Sequence, residues 1–535
     1  MQTSESKKEW PAPWGRNKTP PIETQSADET RGRAPSTLSR RACLTHSAAL
    51  CLGTLAGGPA QAQNRSARRA VVINLALEPD SLDPTMAPAA AVGEVTHYNV
   101  LEGLTRIEES GAVAPLLAES WTVDGTGRHY LFRLRQGVHF HDGAAFDAEA
   151  VRFSFERAVA PGATNKARKA LFDNIAALTT PDAHSVALSL HHPDPHLLFR
   201  LGEGPAVILH PATAAQAASD PVGTGPYQVE RRRHGHSIAL AAAPSYRHAA
   251  KLRIQQASFR FLHDPMEQNA ALRSGEIDMA FNFATQTVRR FQNERGYQVL
   301  IGASTGKGLL ALNHRHAPLN DVRVRRAITH AIDRQGFIRN VLDGRGMAIG
   351  SHFSPADAGY LHLASMYPYD PDRAKALLTS AGVTTPLRLT LALPPAPYAY
   401  EGGPLIAQDL ARVGIAAELQ QLSWEQWLNG PFKGQFEMTL INHVEPLDYQ
   451  IYTDPGYYFG YDSPAFRSLV QRHASTGNAR ERQLLWADLQ RHLAQDAVNA
   501  WIFAPQVGTV VRKGLRGTWM NYPIFVHDIA AMWWE

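Results

Sequence analysis

Histidine is the residue type in this sequence with the clearest capacity for chemistry near neutral pH. There are 23 histidines among 535 residues, and several lie close together along the chain. Imidazole nitrogens bind nickel and other transition metals well, so each group is a candidate for metal binding. The groups are His139 with His141, His191 and His192 with His196, His234 with His236, and His314 with His316. No group has a complete ligand set by its spacing alone, and the sequence therefore predicts no metal site within them.

Cysteine chemistry is confined to the start of the chain. The two cysteines are Cys43 and Cys51. The sequence after them cannot form a disulfide scaffold, a thiolate zinc site or an iron–sulfur cluster, and it has no cysteine nucleophile. The H-E-x-x-H motif of zinc hydrolases is absent as well. A periplasmic hydrolase is therefore only a remote alternative.

The first 62 residues are typical of an export signal with a disordered N-terminal extension. Arg40-Arg41 precedes a short, weakly apolar run over residues 48–58, and Ala60-Gln61-Ala62 has the A-x-A pattern of a cleavage site. The run is too short to anchor the protein in a bilayer core of about 30 Å. The arginine pair favours the twin-arginine route, with general secretion as the alternative. Residues 1–38 are polar and lack periodicity, which predicts disorder.

The length and charge of the chain limit the class of protein. A chain of 535 residues is too long for one ordinary core, so we expect two or more lobes. The first 62 residues hold eight of the 53 basic and five of the 49 acidic residues, so the remainder is almost neutral. A neutral chain lacks the basic surface that a nucleic-acid partner requires.

Strand and helix patterns alternate along the chain from residue 70 onward. Short apolar or alternating runs predict strands at 70–77, 130–135, 185–190, 237–241, 309–313 and 438–441. Longer runs with helical spacing predict helices at 147–158, 322–342, 371–381, 403–413 and 479–496. Strands interleaved with helices indicate an α/β fold with mixed β-sheets flanked by helices.

Several phrases resemble, in order along the chain, the bacterial extracellular solute-binding proteins of family 5. This family contains the periplasmic peptide- and nickel-binding components of ABC importers. The phrases include Leu117-Ala118-Glu119-Ser120-Trp121, the run from Phe132 to Gly143, Val222-Gly223-Thr224-Gly225-Pro226-Tyr227, the run from Asp321 to Ile328, and that from Tyr369 to Leu378. Each phrase is weak alone, but the whole series identifies the chain as a member.

The resemblance implies a two-lobed periplasmic binding protein that closes on its ligand. Lobe I would comprise residues 70–307 and 506–535, with an extra subdomain at 105–218, and lobe II residues 308–505. A monomeric, non-enzymatic receptor without a cofactor is expected in the periplasm. It would deliver a peptide or amino-acid conjugate to the ABC permease subunits of the inner membrane.

The resemblance also places the ligand-binding residues in lobe II. Glu445 falls where peptide receptors have the acid that pairs with the α-amino group of the ligand, and Asp448 follows three residues later. Trp424 matches a tryptophan that lines the pocket, where a flat ring supplies apolar contact at low entropic cost. Trp427 and Tyr458 are expected beside it, in the core or in the wall of the cleft.

One segment departs from the dipeptide receptors, which clamp the ligand carboxylate with an arginine. No lysine or arginine occurs here between Leu391 and Arg412. A longer peptide, an opine-like conjugate or another amine-bearing solute therefore remains open. His443 lies two residues before Glu445, so a nickel or metal-chelate (metallophore) receptor is the alternative.

Overall fold

The computed structural model describes residues 68–535 apart from 88, 166, 170, 283 and 284. The predicted export signal, with its arginine pair and cleavage site, lies outside these described residues. Among them, no helix is long and apolar enough to cross a membrane.

The strands of the described chain are short, apart from one that spans 13 residues. In chain order they are β1 Ala70–Leu75, β2 Thr105–Ile107, β3 Val113–Pro115, β4 Ala118–Val123, β5 His129–Leu134, β6 Ile175–Asp182, β7 Ser185–Leu190, β8 Tyr227–Arg233, β9 Ser237–Ala242, β10 Gln256–Phe261, β11 Met279–Asn282, β12 Tyr297–Ala303, β13 Lys307–Leu312, β14 Gly346–Met347, β15 Leu387–Leu393, β16 Ile415–Gln421, β17 Met438–His443, β18 Ala500–Arg512, β19 Leu515–Arg516 and β20 Trp533–Trp534.

The helices are interleaved with the strands along the chain. They are α1 Ala90–Thr96, α2 Ala148–Val159, α3 Leu197–Arg200, α4 Pro265–Ser274, α5 Thr285–Phe291, α6 Val322–Ala331, α7 Arg334–Val341, α8 Pro371–Ser380, α9 Pro397–Ala411, α10 Trp424–Asn429, α11 Pro464–Ser475 and α12 Ala479–Gln495. Local capping fixes several starts. Asp147, for example, accepts hydrogen bonds from the backbone N–H groups of Glu149 and Ala150.

Strand β18 belongs to two sheets that meet end to end. Its C-terminal half pairs antiparallel with β11 and β12, and β11 continues through β1, β10, β9 and β8. Its N-terminal half pairs antiparallel with β13, which continues through β17, β15 and β16. The first sheet is parallel across β10, β1 and β11, and the second is parallel across β17, β15 and β16. Mixed sheets of this kind agree with the predicted fold class.

The second sheet is covered by apolar side chains on both faces. Successive residues of β13 point to opposite sides, as the pleat requires. Leu310 and Leu312 join one buried cluster with helices α6, α7 and α9. Leu309 and Ala311 join another, which is rich in aromatic residues and includes Tyr449, Tyr458 and Trp427.

A separate four-stranded sheet has the strand order β4-β5-β7-β6. Its apolar face packs with α2 and with Leu197 and Leu201 around α3 in a cluster of its own. We call this region, within residues 105–218, the inserted subdomain. The predicted boundaries of the two lobes and of this subdomain remain predictions.

Two helices differ from the sequence prediction. The predicted helix at 322–342 is wrong as a single element, because Ile332 is extended between α6 and α7. Asp333 then caps α7 by accepting the backbone N–H of Gly336 at 2.8 Å. The helix predicted at 403–413 begins earlier, at Pro397, since proline is well tolerated in the first turn. The connection before it is therefore only residues 394–396 long.

Candidate functional site

The carboxyl ends of three parallel strands lie along one edge of the second sheet. β15, β16 and β17 end there, and the antiparallel β13 begins there. In open α/β sheets the carboxyl edge is where ligands bind, because loops and helix starts converge on it. Trp424 follows β16 at this edge, and Glu445 follows β17. The topology thus places two of the predicted ligand residues on the same edge.

Glu445 presents an exposed carboxylate at this edge. Among the hydrogen bonds of the described residues, its Oε2 accepts only the N–H of its neighbour Val444, at 3.2 Å. The side chain also lies near the ring of Tyr457, where burial raises the pKa of that phenol and the charges of Asp448 and Glu445 raise it further. The Glu445 carboxylate is therefore available to pair with a cation.

Asp448, by contrast, is already paired inside the protein. Lys307, whose side chain is only 1% exposed, places its Nζ 2.8 Å from Asp448 Oδ1. His352 Nε2 lies 2.9 Å from the same oxygen, and His443 Nδ1 lies 3.2 Å from Oδ2. The Lys307 ammonium also donates to the backbone carbonyl of Glu445 at 2.6 Å. Lys307 therefore ties the start of β13 to the segment that carries Glu445.

The charges of this network follow from burial and contact. Burial works to raise the pKa of Asp448, but its contacts with His352 and Lys307 hold that pKa well below the usual range. Burial lowers the pKa of His352 to about 4, although Asp448 acts to raise it. At neutral pH the network is therefore an ion pair of Lys307 and Asp448 with a neutral His352 donating to the carboxylate.

The same residues are those that could hold a metal ion. Donor atoms of His352, His443 and Asp448 lie within 4.8 Å of one another. Their remaining ring nitrogens bond to tyrosines, since His352 Nδ1 contacts Tyr452 Oη at 2.9 Å and His443 Nε2 contacts Tyr458 Oη at 3.0 Å. A divalent ion would need to displace the Lys307 ammonium from Asp448. The arrangement has the chemistry of an internal salt bridge more than that of a metal site.

The three predicted aromatic residues have different surroundings. Trp424 is half-buried at the start of α10, with its ring 6.0 Å from that of Trp427. Trp427 is 5% exposed and donates its Nε1–H to Thr439 Oγ1 at 3.0 Å. Tyr458 is 3% exposed and contacts His443. Trp424 thus offers ring surface at the sheet edge, while Trp427 and Tyr458 pack behind it.

Two residues of the network carried little sequence signal. Lys307 opens an otherwise apolar strand, where a lysine is unusual unless it is paired. This is the sequence feature that indicates a buried ion pair of Lys307. His352 lies in an irregular segment far from Asp448 in sequence, and only the fold brings them together. The histidine groups found by spacing do not include either residue of the His352–His443 pair.

The chain between β12 and β13 contains two motifs of hydrolases that bear on the enzyme alternative. Residues 302–306 match G-x-S-x-G, and residues 304–307 match S-x-x-K. A nucleophile elbow needs a strand, a sharp turn and a helix, whereas this segment joins two strands. Ser304 Oγ donates to the Pro505 carbonyl at 2.7 Å, and the Lys307 ammonium is bonded to Asp448 instead.

The glycines of this segment have a packing role. The segment of residues 302–306 crosses between the two sheets beside Pro505 of β18. A Cβ on Gly306 would lie 2.7 Å from Pro505 Cγ, and one on Gly302 would lie 1.6 Å from the Met520 carbonyl oxygen. Only glycine allows the backbones to approach so closely. The motif is therefore explained by the crossing of the chain between sheets.

Comparisons with known proteins agree on the family. Residues 112–461 match the model of the bacterial extracellular solute-binding proteins, family 5. Di/tripeptide-binding protein 2 of Pseudomonas aeruginosa is 30% identical over 399 residues, which cover 68% of this chain and 74% of that one. A probable D,D-dipeptide-binding periplasmic protein of Escherichia coli is 25% identical over 477 residues, 84% of this chain and 91% of that one.

Solved structures share the fold over most of the chain. HbpA2 from Haemophilus parasuis has a TM-score of 0.80 at 22% identity, covering 87% of this chain and all of that one. The periplasmic murein tripeptide-binding protein MppA has a TM-score of 0.78 at 22% identity, covering 87% of this chain and 97% of that one. The fold, the family model and the curated relatives lead to one conclusion: the chain belongs to the bacterial extracellular solute-binding proteins of family 5.

Proposed function

We propose that this protein is the periplasmic ligand-binding component of an ABC importer and that its ligand is a peptide or an amino-acid conjugate. The observation that carries the proposal is the Glu445 carboxylate, exposed at the carboxyl edge of the second sheet while the neighbouring Asp448 is neutralised by Lys307. An acid that lacks an internal cation can pair with the ammonium of a ligand. The peptide-binding names of several relatives support this ligand class.

The ligand would lie between lobe I (70–307 and 506–535) and lobe II (308–505), against the half-buried ring of Trp424. The connection before α9, residues 394–396, reads Pro-Pro-Ala and offers no cation to a ligand carboxylate. A free dipeptide clamped at both ends is therefore disfavoured. A longer peptide or a conjugate with its carboxylate held elsewhere fits better.

The protein would act as a monomeric receptor without catalysis, exported by the twin-arginine route and docking on the permease subunits. The position of Ser304, bonded to a backbone carbonyl, supports a receptor over a hydrolase. The Lys307 ammonium on Asp448 supports a peptide ligand over nickel or a metal chelate.

The test is calorimetry with a panel of two- to five-residue peptides and their N-acetylated counterparts. Binding near micromolar affinity, about −8 kcal/mol, is expected for free amines only. Changing Glu445 to Gln should weaken binding roughly 10–100-fold, since a charge-assisted bond contributes about 1.5–3 kcal/mol. Glu418, exposed in the middle of β16, provides the matched Glu→Gln control.

The alternative of a metal-binding receptor predicts the opposite effects of these substitutions. His443→Ala and a chelator would then abolish binding, and Glu445→Gln would have little effect. Equal binding of free and acetylated peptides would refute the role of the ligand ammonium. Turnover of any bound peptide would refute the receptor.

A further inference from the structure

A histidine of the inserted subdomain contacts the aromatic cluster of the second sheet. His196, just before α3, has its Nε2 3.0 Å from Tyr449 Oη. Its ring centroid lies 5.7 Å from that of His473 and 5.4 Å from that of Trp486. Because Leu197 next to it packs in the core of the subdomain, this contact joins two separately packed parts of the molecule.

The position of the His196 ring is fixed by the start of α3. Asp194 Oδ1 accepts the backbone N–H of His196 at 2.9 Å, and the Arg200 N–H donates to the His196 carbonyl at 2.8 Å. A polar side chain at a helix start holds the backbone there. Since the backbone is held at both hydrogen-bonding groups, the imidazole is directed at Tyr449 by the fold of the subdomain.

Tyr449 connects this contact to the ligand segment. It directly follows Asp448, is 1% exposed and lies 5.2 Å from Trp486 between ring centroids. Asp448 is bonded to Lys307, which also holds the Glu445 carbonyl. A displacement of Tyr449 would therefore be transmitted through one peptide unit to the residues that orient Glu445.

The surroundings of His196 disfavour a proton on its ring. Burial lowers the pKa of His196 well below 6.5, and the nearby Arg200, His473 and Arg482 lower it further. Burial, with Arg482, lowers the pKa of His473 to about 4. The carboxylate of Asp194 is already paired with Arg200, with Oδ2 3.2 Å from Nε. The docked position therefore favours the neutral form of His196.

We propose that His196 is a positioning residue that docks the inserted subdomain onto Tyr449 and so holds the Glu445 segment in its binding geometry, and that protonation of His196 undoes this docking. The inference rests on the proposed function for its effect on ligand affinity. The docking itself can be measured without a ligand.

The sign of the pH effect follows from the depressed pKa. A free histidine takes up a proton below about 6.5, whereas the docked His196 does not. Docking is therefore fully favourable above 6.5 and weakens as the pH falls below it. The docking equilibrium constant should therefore fall about tenfold between pH 7.5 and 5.5, and the Kd of a peptide that binds only the docked form should rise by a factor that approaches ten as the undocked form becomes predominant.

The first experiment measures the pH profile of the Kd for the tightest-binding peptide of the panel above. His196→Gln keeps a hydrogen-bond donor without titrating, so its Kd should change less between pH 7.5 and 5.5 than that of the wild type. His196→Ala should bind more weakly at pH 7.5. His192→Gln, at an exposed histidine of the same segment, is the matched control and should keep the wild-type profile. A wild-type profile in His196→Gln would overturn the proposal.

Hydrogen exchange in the full chain without peptide separates this inference from the proposed function. After correction for intrinsic rates, amides of 196–201 and 449–453 should lose protection at pH 5.5 in the wild type and keep it in His196→Gln. Unchanged protection in the wild type would refute docking control by His196. If docking behaves as expected while Glu445→Gln binds normally, the ligand site has been misplaced and the docking inference stands.

Discussion

Replacing Lys307 by Met would remove the ammonium that neutralises Asp448. The change keeps most of the apolar stem, and the Lys307 side chain is 1% exposed, so its packing should be conserved. What is lost are the contacts of Nζ with Asp448 at 2.8 Å and with the Glu445 carbonyl at 2.6 Å. The Asp448 carboxylate is then left with two histidines.

The expected loss of stability depends on whether a histidine can take the place of the ammonium. Removing one member of a buried ion pair costs about 3–5 kcal/mol when nothing replaces it. In the variant, His352 beside Asp448 can bind a proton. That histidine would have a folded-state pKa above its unfolded value of 6.5, so its contribution is present below 6.5 and is lost as the pH rises through the folded-state pKa. The loss should therefore shrink by about 1.4 kcal/mol per pH unit in this window.

The wild type should behave in the opposite way. Its His352 has a pKa lowered from 6.5 to about 4 by burial. Protons then bind the unfolded chain first, so the folded protein loses stability as the pH falls below 6.5. The contribution of His352 to this loss would be about 3 kcal/mol by pH 4. Acidification should thus weaken the wild type and partly rescue Lys307→Met.

Chemical denaturation at pH 8 and pH 6, followed by tryptophan fluorescence and circular dichroism, measures both effects. Lys433→Met is the matched control, because Lys433 is exposed and, among the described residues, its Nζ donates only to Asn429 Oδ1, at 3.1 Å. A Lys307→Met loss that is equal at the two pH values would refute proton replacement by a histidine. No loss at either pH would refute the buried ion pair itself.

Two further predictions concern the tryptophans of α10 and the predicted export signal. Trp424→Ala should weaken peptide binding about tenfold with little loss of stability, whereas Trp427→Ala should cost about 3–5 kcal/mol of folding free energy, because the Trp427 ring is buried. Calorimetry measures the binding of both variants and thermal unfolding measures their stability. A loss of binding in Trp427→Ala with a loss of stability in Trp424→Ala would contradict the roles given to the two rings. Replacing Arg40 and Arg41 by Lys should block export by the twin-arginine route; fractionation of cells checks this, and undiminished periplasmic protein would favour general secretion.

The fold could be predicted where local pattern and burial agree. The strands β1, β7, β9 and β17 begin at the expected residues because alternating or continuous apolar runs leave little choice. The helical pattern across 322–342 does not reveal the break at Ile332, because the residues on both sides keep the same apolar spacing. The break depends on a capping bond of Asp333 that competes with the helix.

The candidate site could be predicted only in part. Family phrases locate Glu445 and Trp424, and the structure places both at one sheet edge. The pairing of Asp448 with Lys307 joins residues 141 positions apart, and no local pattern encodes such a contact. The same holds for His196 and Tyr449, which are 253 positions apart. Long-range ionic and aromatic contacts depend on tertiary packing. The sequence therefore shows which residues are able to make such contacts but not which residues they contact.

The sharing of β18 between both sheets has a consequence for how the chain acquires its structure. This strand provides a partner for β11 and β12 in the first sheet and for β13 in the second. Neither sheet can therefore complete its hydrogen bonding until residues 500–512, which follow all the other strands of the two sheets in the chain, have left the ribosome. Loss of residues 500–535 would leave unpaired edges on β11, β12 and β13. The molecule should thus fold late and cooperatively, and truncated chains should aggregate or be degraded.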